Sequence, residues 1–167
     1  MAREEQTDKT PAELIERAWE LAEDIGVCNF NTWNGQELHS RPMDAKIDRE
    51  AEVIRFLTDV ESYKVEEIEQ YPQATVAFAD AGAYKFVTMT GSAKVSNDRA
   101  MIRELWDDSN RLWWHSADDP RIRLLTFVPD DAEIWDSPGK VVAGIKMLTA
   151  AVTGAKPKLG DHAKVAL

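Results

Sequence analysis

The sequence predicts one mainly β (α+β) domain, in which antiparallel strands form a small closed or split barrel with helices at its periphery. Three observations lead to this fold class. Short segments rich in strand-forming residues follow one another closely after a first helix. Turn signals, of which Asn34-Gly35 is the strongest, join neighbouring segments and favour antiparallel pairing. The strands do not alternate with long helices, which disfavours a doubly wound parallel sheet.

The first half of the chain is predicted to hold a helix, three strands and a short second helix. Thr10 and Glu13 form the pattern of a capping box, and Pro11 suits the first position of a helix. Gly26 is suited to end it, so we expect this helix over residues 10–25. The three strands and the short helix are expected, in order, at residues 27–33, 37–43, 52–58 and 62–70.

The second half is predicted to hold five more strand segments. They are expected at residues 74–79, 84–90, 92–96, 122–128 and 132–136. Gly91 marks a bulge or a turn between two of them. Pro129-Asp130 marks a turn between the last two, because proline interrupts a strand ladder.

Two further helices and an irregular segment are expected among and after these strands. One helix begins at Asn97 or Asp98, and residues 107–120 follow it as an acidic, irregular segment. A last helix is expected over 138–153. The tail, residues 155–167, is polar and carries no core signal. We therefore expect a single domain over 1–167, with its core at about 11–153.

Composition and charge restrict the possible partners. The chain has 167 residues, enough for one domain with a sizeable core, and its net charge is −10. Nucleic acid is disfavoured because no run of basic residues offsets this charge. No apolar run reaches the roughly 18 residues that would span a bilayer, and the N-terminus lacks a secretory pattern, so no membrane contact and a cytoplasmic location are expected. The single cysteine and three scattered histidines predict neither a disulfide nor a metal site.

Two segments combine basic side chains with predicted strand ends. One is Ser40-Arg41-Pro42-Met43, which continues to Lys46, and the other is Phe56-Leu57-Thr58, followed by Ser62 and Lys64. A phosphate group needs cations and backbone N–H donors, and a helix N-terminus supplies such donors. From the residues alone, a solvated Lys64 and an Arg41 paired with an acidic residue remain the alternative.

An ordered set of motifs resembles a known family. Ser-Arg-Pro-Met, Phe-Leu-Thr, Ser-x-Lys-Val-x-x-Ile, Ala-Phe-Ala-Asp, Val-Thr-Met-Thr-Gly, Glu-Leu-Trp and Ala-Glu-Ile-Trp-Asp follow one another along residues 11–153. This series is similar to the general stress protein branch of the pyridoxamine 5'-phosphate oxidase-like FMN-binding split barrels. The resemblance implies a six-stranded antiparallel split barrel and a homodimer with two FMN molecules at its interface.

The resemblance also implies nine flavin contacts, assigned by position. Arg41, Pro42 and Met43 would lie along the isoalloxazine ring, Leu57 and Thr58 would contact the ring and ribityl chain, Ser62 and Lys64 would hold the phosphate, and Lys46 and Trp135 would add further contacts. Tyr63 stands where the oxidase itself has an arginine, and the oxidase's arginine-rich motif does not follow Trp135. Oxidation of pyridoxamine 5'-phosphate is therefore not expected.

Three functions follow from this resemblance. The first is an FMN-dependent oxidoreductase acting on an unknown small molecule. The second is a non-catalytic flavin carrier, sensor or scavenger used under stress. The third keeps the fold with deazaflavin F420 or haem as cofactor, although haem would need an axial ligand.

Two groups of residues outside the nine predicted flavin contacts have alternative interpretations. Trp106, Trp113 and Trp114 are expected in the core, over the barrel mouth or in an interface rather than in a substrate pocket. His39 shares a strand face with Arg41 and is expected to be structural rather than an acid or base beside the flavin.

Overall fold

Eight antiparallel strands in one curled sheet form the body of the protein, described by a computed structural model over residues 7–138 and 160–167. The strands are β1 (Val27–Trp33), β2 (Leu38–Asp44), β3 (Lys46–Asp48), β4 (Val53–Asp59), β5 (Gln73–Asp80), β6 (Lys85–Ser96), β7 (Ile122–Asp136) and β8 (Asp161–Ala166). The helices are α1 (Pro11–Ile25), α2 (Tyr63–Gln70) and α3 (Arg99–Leu105), with a 3-10 helix at Asp108–Leu112. The sheet order is β2-β1-β5-β6-β7-β4-β3, and β8 pairs with β7. The curled sheet is a half-barrel, which confirms the split-barrel prediction.

Helix α1 begins and ends where the sequence predicts. The backbone N–H of Thr10 donates to the Glu13 carboxylate at 2.7 Å, and the Thr10 hydroxyl accepts from the Glu13 N–H at 3.3 Å. This is the expected capping box, which satisfies two N–H groups at the helix start. The helix buries Leu14, Ala18 and Leu21 against the sheet, as its periodic apolar residues predict.

Strands β6 and β7 are each continuous, which corrects the expected turn at Pro129-Asp130. The register between them shifts between Thr90 and Gly91, where Gly91 lies opposite Pro129. A Cβ at Gly91 would lie 2.1 Å from the Val128 carbonyl oxygen, so the close approach of the two strands requires glycine here. The bulge accommodates the proline without a turn. The eight predicted strand segments therefore merge into the six expected strands, β1, β2 and β4 to β7, to which β3 and β8 are added.

Strand β8 also corrects the expected polar tail. Residues 161–166 pair with the end of β7, and Ala163 and Val165 are buried in the main core. The Thr7 hydroxyl donates to the Asp161 carboxylate at 3.0 Å, and the Lys9 ammonium pairs with the same carboxylate. All of the helix expected over 138–153 except residue 138 lies outside the described residues.

Two clusters of buried side chains stabilise the fold. In the main core, the Phe30 ring meets Phe56 and Phe127 edge to face, with centroid distances of 5.2 and 6.3 Å. A second cluster joins α3 to the region after it and to β7; its buried members are Ile102, Trp114, Ile122 and Leu124. None of the helices described is long and apolar enough to cross a membrane.

Candidate functional site

A cleft of about 500 Å³ lies between β2, β4, the start of α2 and the 3-10 helix region. Strands β2 and β4 lie near opposite ends of the sheet order, so only the curl of the sheet brings them together. Eight of the nine predicted flavin contacts line this cleft: Arg41, Pro42, Met43, Lys46, Leu57, Thr58, Ser62 and Lys64. The fold therefore assembles the two cation-bearing segments into one site.

Lys64 is the cation of the cleft whose charge is least compensated. Its ammonium donates to the Ser62 hydroxyl at 2.6 Å, and within the described parts of the chain it forms no ion pair with a carboxylate. Burial lowers the pKa of Lys64, and the nearby charge of Arg41 lowers it further. Ser62 is the N-cap residue of α2, but its side chain makes no capping bond. Both side chains are thus available to an anion at the helix start.

The Thr58 hydroxyl is a buried polar group without a partner. The residue is 3% exposed, and its Oγ1 finds no hydrogen-bond partner among residues 7–138 and 160–167. Leaving such a hydroxyl unpaired costs about 1–3 kcal/mol. A polar group of a ligand in the cleft would offset this cost.

Arg41 is oriented by two polar side chains behind it. Its Nη1 donates to the Thr32 hydroxyl at 2.6 Å, and its Nη2 donates to the Glu67 carboxylate at 3.1 Å. Glu67 is 6% exposed whereas Arg41 is only partly buried, so the ion pair is half-buried rather than fully exposed to solvent. Arg41 therefore pairs with an acidic residue, as one interpretation of the sequence expects, and it also lines the cleft.

Lys46 also lies at the cleft, but its charge is already compensated. Its ammonium lies 2.7 Å from Asp44 and 2.8 Å from Asp107. Burial alone would lower the pKa of Lys46, yet the two carboxylates raise it overall. Hydrogen bonds from Lys46 and Ser109 lower the pKa of Asp107 to about 2. Lys46 therefore contributes less net charge to the cleft than Lys64 does.

Comparison with known protein families shows which family the chain belongs to. The family model described as pyridoxamine 5'-phosphate oxidase like matches residues 13–158. The chain belongs to the pyridoxamine 5'-phosphate oxidase-like family. The resemblance inferred from the sequence motifs is thereby confirmed at the level of the family.

Proteins similar to this chain include general stress proteins. General stress protein 26 of Bacillus subtilis (strain 168) is 26% identical over 97 residues, which cover 54% of this chain and 66%, slightly under two thirds, of that protein. A crystal structure assigned as general stress protein 26 from Jannaschia sp. CCS1 has a TM-score of 0.79 at 24% identity and covers 93% of this chain and 99% of its own. The general stress FMN/FAD binding protein of Xanthomonas citri has a TM-score of 0.66 at 27% identity, over 75% of this chain and 89% of its own.

Trp135 does not line the cleft, unlike the other residues assigned from the family. Its ring stacks on His162 of β8, with a centroid distance of 4.8 Å and an interplanar angle of 19°. In a single chain Trp135 thus packs beside β8, a strand that the sequence did not predict, and its covering role over the flavin stays a prediction.

The cleft also includes aromatic residues that were not assigned to it. Trp114 is 8% exposed, belongs to the second core cluster and donates from Nε1 to Asp59 at 3.3 Å. Trp113, at the rim, is 74% exposed. Trp106 packs against the second cluster, as expected for a core residue. In the sequence, the adjacent Trp113 and Trp114 indicated an aromatic surface. The direction of each side chain could not be predicted, because the irregular segment around them has no periodic pattern.

Proposed function

We propose that the protein is a cytoplasmic flavoprotein that binds FMN in this cleft and acts as a flavin-dependent oxidoreductase on a small molecule. The observation that carries the proposal is a pair of unsatisfied groups in one cleft. The Lys64 ammonium lacks a carboxylate partner and the Thr58 hydroxyl lacks any partner, both among the described residues. A ligand with an anionic end and a polar ring or chain would satisfy both.

The roles of the side chains follow from their positions. Ser62 and Lys64, at the start of α2, would hold the phosphate through charge-assisted hydrogen bonds. Leu57 offers an apolar wall, while Thr58 would bond to the ring or the ribityl chain. The flavin, when bound, would supply the electron chemistry, and the protein would orient it and exclude water.

The balance of charge at the cleft favours one phosphate group. Lys46 is neutralised by two carboxylates and Arg41 by one, whereas Lys64 is not paired within the described residues. A single phosphate monoester fits this arrangement better than a diphosphate. We therefore favour FMN over FAD, and both over haem, since His39, His115 and His162 are all absent from the cleft lining.

We also propose that the protein works as a homodimer. Leu112 and Tyr63 are large side chains that are mostly exposed in the single chain. Burial of such side chains against a second copy would remove apolar surface from water. Sedimentation velocity at several protein concentrations tests this, and a monomer at all of them would contradict it.

The flavin proposal is tested by titrating the purified protein with FMN, FAD and riboflavin while following flavin fluorescence. We expect FMN to bind most tightly, because it alone offers one phosphate to Lys64. Failure to bind FMN would contradict the proposal. Binding that is equal for FMN and riboflavin would contradict the role of the phosphate.

Catalysis is tested on the loaded protein with NADH or NADPH. Bleaching of the flavin absorbance under anaerobic conditions is expected for an oxidoreductase. If neither nucleotide reduces the flavin, the protein is better described as a flavin carrier, sensor or scavenger. Pyridoxamine 5'-phosphate is not proposed as substrate, because Tyr63 replaces an arginine expected of the oxidase.

A further inference from the structure

A polar cluster, built around two buried side chains, lies directly behind the cleft. We call it the Glu67 cluster; it consists of Thr32, His39, Arg41 and Glu67. One carboxylate oxygen of Glu67, Oε2, accepts hydrogen bonds from the Thr32 hydroxyl and from Arg41 Nη2. The other, Oε1, contacts His39 Nδ1. One buried carboxylate is therefore shared by an arginine and a histidine.

The Glu67 cluster connects two cavities. Arg41 lines the cleft proposed for the flavin, whereas His39 and Glu67 line a second cavity of about 350 Å³. Among Arg41, His39 and Glu67, the side chain of His39 is the most exposed, so its protonation can respond to the pH of the solvent. A change at His39 can thus reach Arg41 through a single carboxylate.

The net charge of the Glu67 cluster depends on whether His39 is protonated. Burial opposes ionisation of Glu67, but the hydrogen bonds from Thr32 and His39 and the charge of Arg41 outweigh it and lower the pKa of Glu67. The Glu67 contact, followed by that of Glu37, raises the pKa of His39. With neutral His39 the Arg41–Glu67 pair has no net charge, and with protonated His39 the cluster carries one positive charge.

We propose that Glu67 is a positioning residue that holds Arg41 in the cleft and couples it to His39, so that an anionic ligand binds more tightly when His39 is protonated. The proposal rests on the proposed function, because the anion considered is the phosphate of FMN. A protonated His39 draws on the same carboxylate that compensates Arg41. More of the Arg41 charge is then available to the ligand.

Other ionisable side chains lie near the cluster or act on Lys64, and substitution of His39 or Glu67 leaves them in place. Those on the neighbouring elements of the described chain are Glu37 before β2, Asp59 at the end of β4, and Tyr63, Lys64 and Glu66 on α2. Strand β1 contributes only the neutral Thr32. A change confined to His39 or Glu67 therefore isolates the coupling.

The first measurement follows the histidine imidazoles by NMR during a pH titration, with and without saturating FMN. Because linkage is reciprocal, a ligand that binds the protonated form more tightly raises the pKa of His39. We expect a rise of about half a unit, corresponding to about threefold in affinity for a screened charge. The resonances of His115 and His162, which do not line the cleft, serve as internal controls. No rise at His39, or an equal rise with riboflavin, would overturn the proposal.

Two variants separate positioning from a merely structural role. In Glu67→Gln the FMN-dependent rise at His39 should disappear. In Glu66→Gln it should persist, since Glu66 lies on the same helix and the same cavity but bonds to Gln70. Loss of the effect in both variants, or in neither, would contradict the assignment.

A third variant keeps the proposal testable if Glu67→Gln does not fold. His39→Gln should weaken FMN binding about threefold at about pH 5.5 and leave it unchanged at about pH 8.5. Comparison with wild type at each pH cancels the titration of the phosphate itself, near pH 6. A ratio that is the same at both pH values would overturn the coupling.

A separate result shows whether the proposed flavin-binding function is itself wrong. If wild-type protein binds no FMN at any pH, the flavin assignment is wrong, and the NMR titration is repeated with sodium sulfate. A sulfate-dependent rise at His39 that is absent in Glu67→Gln would support the coupling of the cleft to His39. The absence of any such rise would overturn it.

Discussion

Lys64 donates a hydrogen bond to the hydroxyl of Ser62, two residues before it, with 2.6 Å between Nζ and Oγ. This contact turns the lysine back toward the start of α2 rather than out into solvent. It also holds the Ser62 side chain away from a capping role. The two side chains that the sequence predicts to hold a phosphate thus lie side by side at the start of α2.

Replacement of Lys64 by alanine should weaken FMN binding about tenfold and leave riboflavin binding nearly unchanged, because only FMN offers a phosphate. Fluorescence titration of both flavins measures this difference. Lys94→Ala, an exposed lysine on β6, is the matched control and should bind both flavins as wild type does. Equal losses for FMN and riboflavin in the Lys64 variant would contradict the phosphate role.

Thr58→Val should raise the stability of the free protein by about 1 kcal/mol, because it removes a buried hydroxyl without a partner. It should also weaken flavin binding. Thermal unfolding with and without FMN measures both effects. Thr32→Val, at a buried hydroxyl bonded to Arg41 and Glu67, is the control and should destabilise the free protein. A destabilised Thr58 variant that binds FMN normally would show that the hydroxyl does not serve the ligand.

The two adjacent tryptophans should behave differently. Trp114→Ala should lower the free energy of unfolding by about 3 kcal/mol, since it empties part of the second core cluster. Trp113→Ala should change it by less than about 0.5 kcal/mol, because the ring is mostly in solvent. Urea unfolding of the two variants makes the comparison. Similar losses in both would mean that Trp113 is buried in the native protein, for example in a dimer.

The Asp107–Lys46 pair predicts a loss of stability in acid. The pKa of Asp107 falls from an ordinary value of 3.8 to about 2 on folding. A group whose pKa is depressed on folding contributes stability above its unfolded pKa, and this contribution is lost as pH falls through the folded value. The melting temperature should therefore fall between about pH 4 and pH 2 more steeply in wild type than in Lys46→Gln. Parallel curves for the two proteins would contradict the contribution of this pair.

Much of the barrel followed from local patterns, whereas the elements that depend on distant contacts did not. The capping box of α1 and the strands β1, β2, β4 and β5 rest on neighbouring residues, and they match the structure closely, whereas the three-residue β3 was not predicted. Pro129 was interpreted as a turn because its partner Gly91, which makes room for it, lies far away in sequence. Strand β8 was missed because its buried residues, Ala163 and Val165, are small and few.

The cleft, like the fold, was only partly predictable from the sequence. Motif order identified eight of its residues, but not that β2 and β4 meet across the curl of the sheet. In the sequence, nothing distinguishes Glu67 from the other acidic residues of the short helix. Only the fold shows that it is buried between Arg41 and His39.

The contact between Thr7 and Asp161 has a consequence for the chain as a connected path. It joins the segment before α1 to the first residue of β8, 154 positions later in the sequence. A contact between positions so distant forms only once the strands between them have paired, because the entropy of closing so long a loop must be offset by other contacts. We therefore expect β8 to join the sheet late in folding.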